Sequence, residues 1–196
     1  AKGGHTGTLD PMASGLLPLC FGDATKFAVD LLAADKTYQA DLLFGVTTDT
    51  GDADGSVVER RPVAFQRNEL EPALAGLRGP IRQIPPMYSA LKRDGKPLYE
   101  LARQGIEVER EARAVTIHEL RLLDYSGERC RLFVACSKGT YIRSLAEDLG
   151  RVLDCGAHLT ALRRVAVGAL AVADAVTLDE LAALTEEGRE RWLLPP

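Results

Sequence analysis

Gly3-Gly4-His5-Thr6-Gly7-Thr8-Leu9-Asp10-Pro11-Met12-Ala13-Ser14-Gly15-Leu16-Leu17 carries one carboxylate among glycines and small hydroxyl residues, followed at once by a proline and an apolar run. The Pro11 ring disfavours the α region for the residue before it, so Asp10 is expected to be extended. The glycines permit turns closed to other residues and let a flat ligand approach the main chain. A carboxylate fixed on such a loop is available for chemistry; the competing reading is a turn with a solvated Asp.

Around this segment lies a chain of 196 residues, 46% apolar and 27% charged, which suits one globular domain, or one domain plus a piece of another. No apolar run reaches the roughly 18 residues that span a bilayer. The chain opens Ala1-Lys2-Gly3-Gly4-His5 without Met or a secretory signal, so it is expected to start inside a longer protein. Its four cysteines, Cys20, Cys130, Cys136 and Cys155, form no C-x-x-C pair, and the expected compartment is the reducing cytoplasm. Cys155-Gly-Ala-His158 has a zinc-like spacing but lacks a second pair, which favours a structural Cys and a surface or ligand-facing His.

The formal charge is −4, yet Arg78, Arg82, Lys92, Arg93, Lys96 and Arg103 cluster with only Asp94 and Glu100 between them. By contrast, Asp41 to Glu59 holds five acids and no base. A basic, aromatic-bearing segment on an acidic protein is what local phosphate contacts require, against the plainer reading of a solvated face.

Periodicity predicts a helix from Asp23, with that residue as N-cap, and a strand over Lys36–Phe44 with Tyr38, Ala40, Leu42 and Phe44 on one side. Further helices are expected over Asn68–Leu77, Pro97–Arg103, Thr140–Leu153 and Thr177–Glu187. Strands are expected around Val57-Val58 and over Ala114–Asp124, Arg129–Ser137 and Ala157–Val167. Ile81–Leu91 reads as extended and broken by Pro85-Pro86, and Asp94-Gly95 as a tight turn. The implied class is α+β, a mixed, mostly antiparallel sheet flanked by helices.

Three constellations carry chemistry. Asp10 is the first. In Cys136-Ser137-Lys138-Gly139-Thr140-Tyr141-Ile142-Arg143 a strand ends, a glycine turns and a helix begins, so Tyr141 and Arg143 fall in its first turn. A guanidinium there could form a bidentate pair with a carboxylate, and with Asp10 as partner it would keep that group charged, as a nucleophile needs. The alternative is an ordinary helix-surface Arg. Lys36-Thr37-Tyr38 places an aromatic early in a strand, either as core or as a stacking platform for a base.

Other site readings fail. Aligning Gly55 with the invariant glycine of an EF-hand puts Arg61 at the bidentate Glu position. Asp52-Ala53-Asp54-Gly55 resembles a haloacid-dehalogenase-type phosphatase signature but lacks the buried strand that should precede it. Ser14 has Met12 and Leu16 where a nucleophile elbow needs glycines.

Together, Gly4-His5-Thr6-Gly7-Thr8-Leu9-Asp10-Pro11 with Ala13 to Leu17, Lys36-Thr37-Tyr38, and Ser137 to Arg143 resemble the three active-site motifs of TruB-type tRNA pseudouridine synthases. Ile84-Pro85-Pro86-Met87-Tyr88-Ser89-Ala90-Leu91-Lys92, with Gly95-Lys96 and Leu98-Tyr99, is similar to that family's RNA-gripping thumb segment. Gly156-Ala157-His158-Leu159 through Leu162-Arg163-Arg164 is similar to a further family stretch.

The resemblance implies a pseudouridine-synthase-like catalytic fold and isomerisation of a T-loop uridine of tRNA (position 55) without cofactor or metal. It implies that Asp10 is the nucleophile, attacking ribose C1′ or uracil C6. Tyr38 would stack on the flipped base, in a placement that also suits proton transfer. Arg143 would pair with Asp10, Tyr141 and Leu162 would line the pocket, and His5 would fill the space left by the extruded base. Lys92, Arg93, Lys96, Arg163 and Arg164 become candidates for RNA phosphate contacts. The implied partner is the T-arm stem-loop, bound by a cytoplasmic monomer with no obligate protein partner and no membrane. Residues 1–174 would be the catalytic domain, lacking a family strand that precedes Gly3. Residues 175–196 would be a helical linker toward a PUA-type RNA-binding domain outside the chain. The competing function is a non-catalytic RNA-binding or tRNA-chaperone module. A magnesium-dependent phosphatase using Asp52 and Asp54 is a third class.

Overall fold

The computed structural model describes residues 2–194; Ala1, and Pro195 and Pro196 at the end of the expected linker, lie outside them. In chain order the elements are β1 Gly3–His5, β2 Ser14–Gly15, β3 Leu19–Phe21, α1 Ala28–Ala33, β4 Lys36–Phe44, β5 Val46–Thr48, β6 Val57–Arg60, α2 Arg67–Gly76 and β7 Gly79–Gln83. Then come β8 Lys92–Arg93, β9 Lys96–Pro97, α3 Leu98–Arg103, β10 Arg113–Ser126, β11 Arg129–Cys136, α4 Ile142–Val152, β12 Ala157–Val167, β13 Leu170–Ala171, α5 Leu178–Ala183 and α6 Glu186–Glu190.

The main sheet runs β13-β12-β4-β11-β10-β7 with every neighbour antiparallel, and β2 adds to β12 in parallel. β4 sits between β11 and β12, and its alternation buries Lys36, Ala40, Leu42 and Phe44 on one face. Against that face pack Leu70, Ala73 and Leu74 of α2 and Leu145 and Leu149 of α4, which meet Leu120, Leu132 and Leu159 from the neighbouring strands. All four cysteines are free and buried; burial pushes the thiols of Cys130 and Cys136 up to about 12 and about 11, so both stay protonated and inert. The expected mixed, mostly antiparallel sheet with flanking helices is the architecture found.

Three local expectations are corrected. Asp23 is no N-cap: it lies inside a 3₁₀ turn, Gly22–Phe27, where its carboxylate pairs with Lys26 instead of accepting from the main chain. The helix expected over 177–187 breaks at Leu184, because Thr185 caps a second short helix by accepting from Gly188 N–H. Of the segment expected to be extended, Ile81–Leu91, only residues 81–83 join the sheet, as the end of β7; Pro85 and Pro86 have no N–H to give, and the chain leaves toward the start of α4. The Asp94-Gly95 turn forms as expected, with φ of 50° and 81°, the left-handed pair a two-residue hairpin demands.

Gly15 fixes how the Asp10 loop meets the sheet. Its φ is +102°, and a Cβ there would lie 2.2 Å from the Arg164 carbonyl oxygen and 2.9 Å from its nitrogen. Both atoms are main chain and cannot swing aside. Gly15→Ala is therefore expected to cost roughly 1–3 kcal/mol, read as a lowered thermal midpoint. An unchanged midpoint would mean that the loop can rest on β12 in another way.

Candidate active site

The Asp10 loop leaves β1 and returns through β2. Buried Thr6 donates its N–H to Pro18 O at 3.1 Å, and Ala13 N–H closes a turn on Asp10 O at 2.8 Å. From across the molecule α4 delivers Arg143 in its first turn. Its N-cap, Tyr141, is extended and has no capping side chain. Gln83, 2% exposed at the end of β7, holds it instead: Tyr141 N–H donates to Gln83 Oε1 at 3.0 Å and Gln83 Nε2 donates to Tyr141 O at 3.2 Å. That amide extends the sheet's hydrogen bonding by one side chain and sets the height of α4 over the loop.

Arg143 closes the site. Nε donates to Asp10 Oδ2 and Nη2 to Asp10 Oδ1, both at 2.9 Å, a fork-to-fork pair between residues far apart in sequence. Nη1 donates to Thr50 O at 3.1 Å and Nη2 also to Tyr88 O at 2.8 Å. Asp52 Oδ2 stands 3.7 Å from Nε. The Arg143 side chain is 4% exposed against 31% for Asp10, so the cation is buried and the carboxylate opens outward. A guanidinium cannot shed its charge, so it needs this full set of acceptors to remain buried.

Asp10, Tyr38, Tyr141 and Leu162 line one small open concavity with Thr8, Leu9, Thr140 and Ile142. Burial pushes the Tyr38 phenol up to about 12, and burial also raises Tyr141. Both phenols stay protonated near neutral pH, so each keeps a proton that it can donate. Asp10, Tyr38, Arg143, Tyr141 and Leu162 are thus gathered in one place.

The other candidates scatter. His5 is exposed on β1, opposite Leu19, and does not line the concavity. Lys92, Arg93 and Lys96 are exposed on the β8–β9 hairpin, where Arg93 also donates to Glu109 O at 2.7 Å. Arg163 is exposed, pointing from β12 to the face opposite Leu162. Arg164 corrects the expectation of a phosphate contact: it is 1% exposed and bonded to main-chain carbonyls, so no phosphate can reach it. His158 is likewise not at a surface; it is 6% exposed with Nδ1 2.8 Å from Val46 O.

Sequence reading missed three supports of the site. Gln83 carried no signal at all. The acidic loop reads in sequence as a cation loop or a phosphatase signature, whereas its Thr50 carbonyl and Asp52 carboxylate stand behind Arg143. Tyr88 belongs by resemblance to an RNA-gripping segment, and its carbonyl accepts from the same guanidinium.

A family model described as the TruB family pseudouridylate synthase N-terminal domain matches residues 1–142, and one described as the tRNA pseudouridylate synthase B C-terminal domain matches residues 143–195. The chain is similar to tRNA pseudouridine synthase B of Dechloromonas aromatica (strain RCB) and of Azoarcus sp. (strain BH72), each 63% identical over 195 residues that cover 100% of this chain and 65% of the relative. It therefore spans about two thirds of the length of these curated relatives. Among solved structures it is similar to a chain of a Cbf5-Nop10-Gar1 complex, with a TM-score of 0.74 and 27% identity over 100% of this chain and 52% of that one. The first of these models covers the Asp10 loop with strands β4, β7, β10 and β11, nearly three quarters of the chain, and the chain belongs to the TruB family of pseudouridylate synthases.

Proposed function

We propose that residues 1–174 are the catalytic domain of an isomerase that turns the T-loop uridine of tRNA (position 55) into pseudouridine, with Asp10 as nucleophile. The observation that carries this reading is the bidentate Asp10–Arg143 pair opening into a concavity walled by Tyr38, Tyr141 and Leu162. A uracil held in a duplex or a stacked loop cannot enter such a pocket, so the base is flipped at a cost of about a few kcal/mol. Tyr38 and Leu162 then offer flat and apolar contact to its ring, and the two phenols offer donors to its carbonyl oxygens. Attack by Asp10 at ribose C1′ displaces N1, or attack at uracil C6 labilises the C1′–N1 bond; the detached ring turns, C5 bonds to C1′ as the bond to Asp10 breaks, N1 takes up a proton and the C5 proton leaves. No water is activated, so the reading needs neither metal nor cofactor. The proposed partner is the T-arm stem-loop, bound by a cytoplasmic monomer.

The direct test is to incubate a T-arm stem-loop with the protein expressed from its complete natural reading frame and to map pseudouridine by mass spectrometry. Conversion at the T-loop uridine is expected. Tight binding without conversion would replace the isomerase by an RNA-binding module.

The exposed β8–β9 hairpin supplies a second expectation. Replacing Lys92, Arg93 and Lys96 together by Ala should weaken RNA binding and flatten the slope of log affinity against log salt by roughly 0.7–0.9 for each phosphate no longer neutralised. The rate at saturating RNA should hold. A slope equal to wild type would remove the hairpin from the RNA interface.

A further inference from the structure

One buried guanidinium has no part in the chemistry proposed for Asp10. Arg164 is the bulkiest of the fully buried side chains, and among the described residues its bonded partners are not carboxylates. Nε donates to Leu16 O at 2.8 Å and Nη2 to Gly7 O at 3.1 Å. Its own carbonyl accepts Leu16 N–H at 2.8 Å, and Gly15 lies beside it in the parallel register of β2 and β12. The residue therefore grips the chain on both sides of Asp10. In the antiparallel ladder of β12 with β4, the residue directly opposite Arg164 is Tyr38. Burial dominates the upward shift of that phenol, and the Arg164 guanidinium pulls the other way.

Removing a cation from water without an acid beside it is costly, and a Met would fill the same space without that cost. What only Arg supplies is a rigid fork of donors with no acceptor. Facing such a group, the phenol oxygen must accept, which leaves its single proton free to point elsewhere.

We propose that Arg164 is a positioning residue for the isomerisation: it clamps the main chain on either side of Asp10 and turns the Tyr38 hydroxyl proton into the pocket. The proposal rests on the isomerase function proposed for this site. A displacement of about 1 Å in a reacting group is enough to slow a reaction roughly 100-fold, so the clamp should be visible in the rate.

The test uses Arg164→Lys and Arg164→Met in the protein expressed from its complete natural reading frame, with a T-arm stem-loop as substrate. Single-turnover conversion at saturating RNA is expected to fall roughly 100-fold in Arg164→Met and less in Arg164→Lys, which restores one donor. RNA affinity should change less than about threefold, with the salt slope intact, since Arg164 neutralises no phosphate. Amide exchange should quicken over residues 6–16 and not in α4. With Tyr38→Phe added, the losses should combine to less than their product. Wild-type rate and exchange in both variants would overturn the proposal, and so would a loss confined to affinity with a shallower salt slope. Fully multiplicative losses would overturn its Tyr38 half. If Arg164→Met does not fold, the Lys variant decides. Should the wild type itself convert no uridine, the isomerase reading fails, and exchange over residues 6–16 alone then judges the clamp: unchanged protection rejects it.

Discussion

Asp10→Asn is expected to lower pseudouridine formation by at least about 10³-fold while leaving RNA affinity within about threefold. The carboxamide has nearly the shape of the carboxylate but no nucleophilic oxygen, so the covalent step disappears and the pocket does not. Arg143 would keep its bonds to Thr50 O and Tyr88 O and the nearby Asp52 carboxylate, which together still hold a buried cation. Because the Asp10 side chain is 31% exposed, solvent already screens part of the pair, and the variant should lose only about 1 kcal/mol of stability. Three measurements separate the cases: mass-spectrometric pseudouridine yield, RNA affinity and the thermal midpoint. A variant that kept a tenth of the wild-type rate would remove Asp10 from the nucleophile's place. A variant that lost binding and rate together would make the carboxylate a docking group instead.

Why Asp10 was legible and its supports were not follows from what each residue depends on. Asp10 announces itself through its neighbours in sequence: glycines before it, a proline after it and a carboxylate with no local partner. β4 was equally readable, because a period of two needs only its own side chains, and β12 spans Ala157–Val167 as expected although two register irregularities interrupt its alternation. Arg143 could be placed in a first helical turn, and family resemblance supplied its partner. Gln83, Thr50 and Asp52 depend on contacts that exist only after β7, the acidic loop and α4 have come together. Gln83 hydrogen-bonds to the main chain of Tyr141, so no side-chain pattern in the sequence encodes that bond. Arg164 was misplaced for the opposite reason: two adjacent arginines look like one basic patch, yet a strand sends them to opposite faces. Alternation around Leu162 already implied that only one of Arg163 and Arg164 could face solvent on a given side. The break at Leu184 is of a third kind, in which a Thr cap five residues before the end of α6 outweighs continuous helical periodicity.

Arg143 should respond differently from Asp10, because it is the buried half of the pair. Arg143→Met leaves Asp52, 5% exposed, without its cation and strands the carbonyls of Thr50 and Tyr88. Breaking a buried ion pair from one side costs about 3–5 kcal/mol, which for a protein of this size is a fall of roughly 6–20 °C in thermal midpoint. Arg143→Lys keeps the charge but offers a single ammonium in place of the fork, so it cannot meet both Asp10 oxygens and two carbonyls at once. It should retain much of the stability yet lose roughly 10²-fold in rate, through a carboxylate that is present but wrongly aimed. Combining Arg143→Met with Asp10→Asn removes one of the two acids left unpaired, so the double variant should be more stable than Arg143→Met alone while remaining inactive. If the double variant were no more stable, the Asp10–Arg143 contact would add nothing to the fold. The tight packing around Arg143 would then serve Asp52 and the carbonyls of Thr50 and Tyr88, with Asp10 merely leaning on a cation anchored from behind.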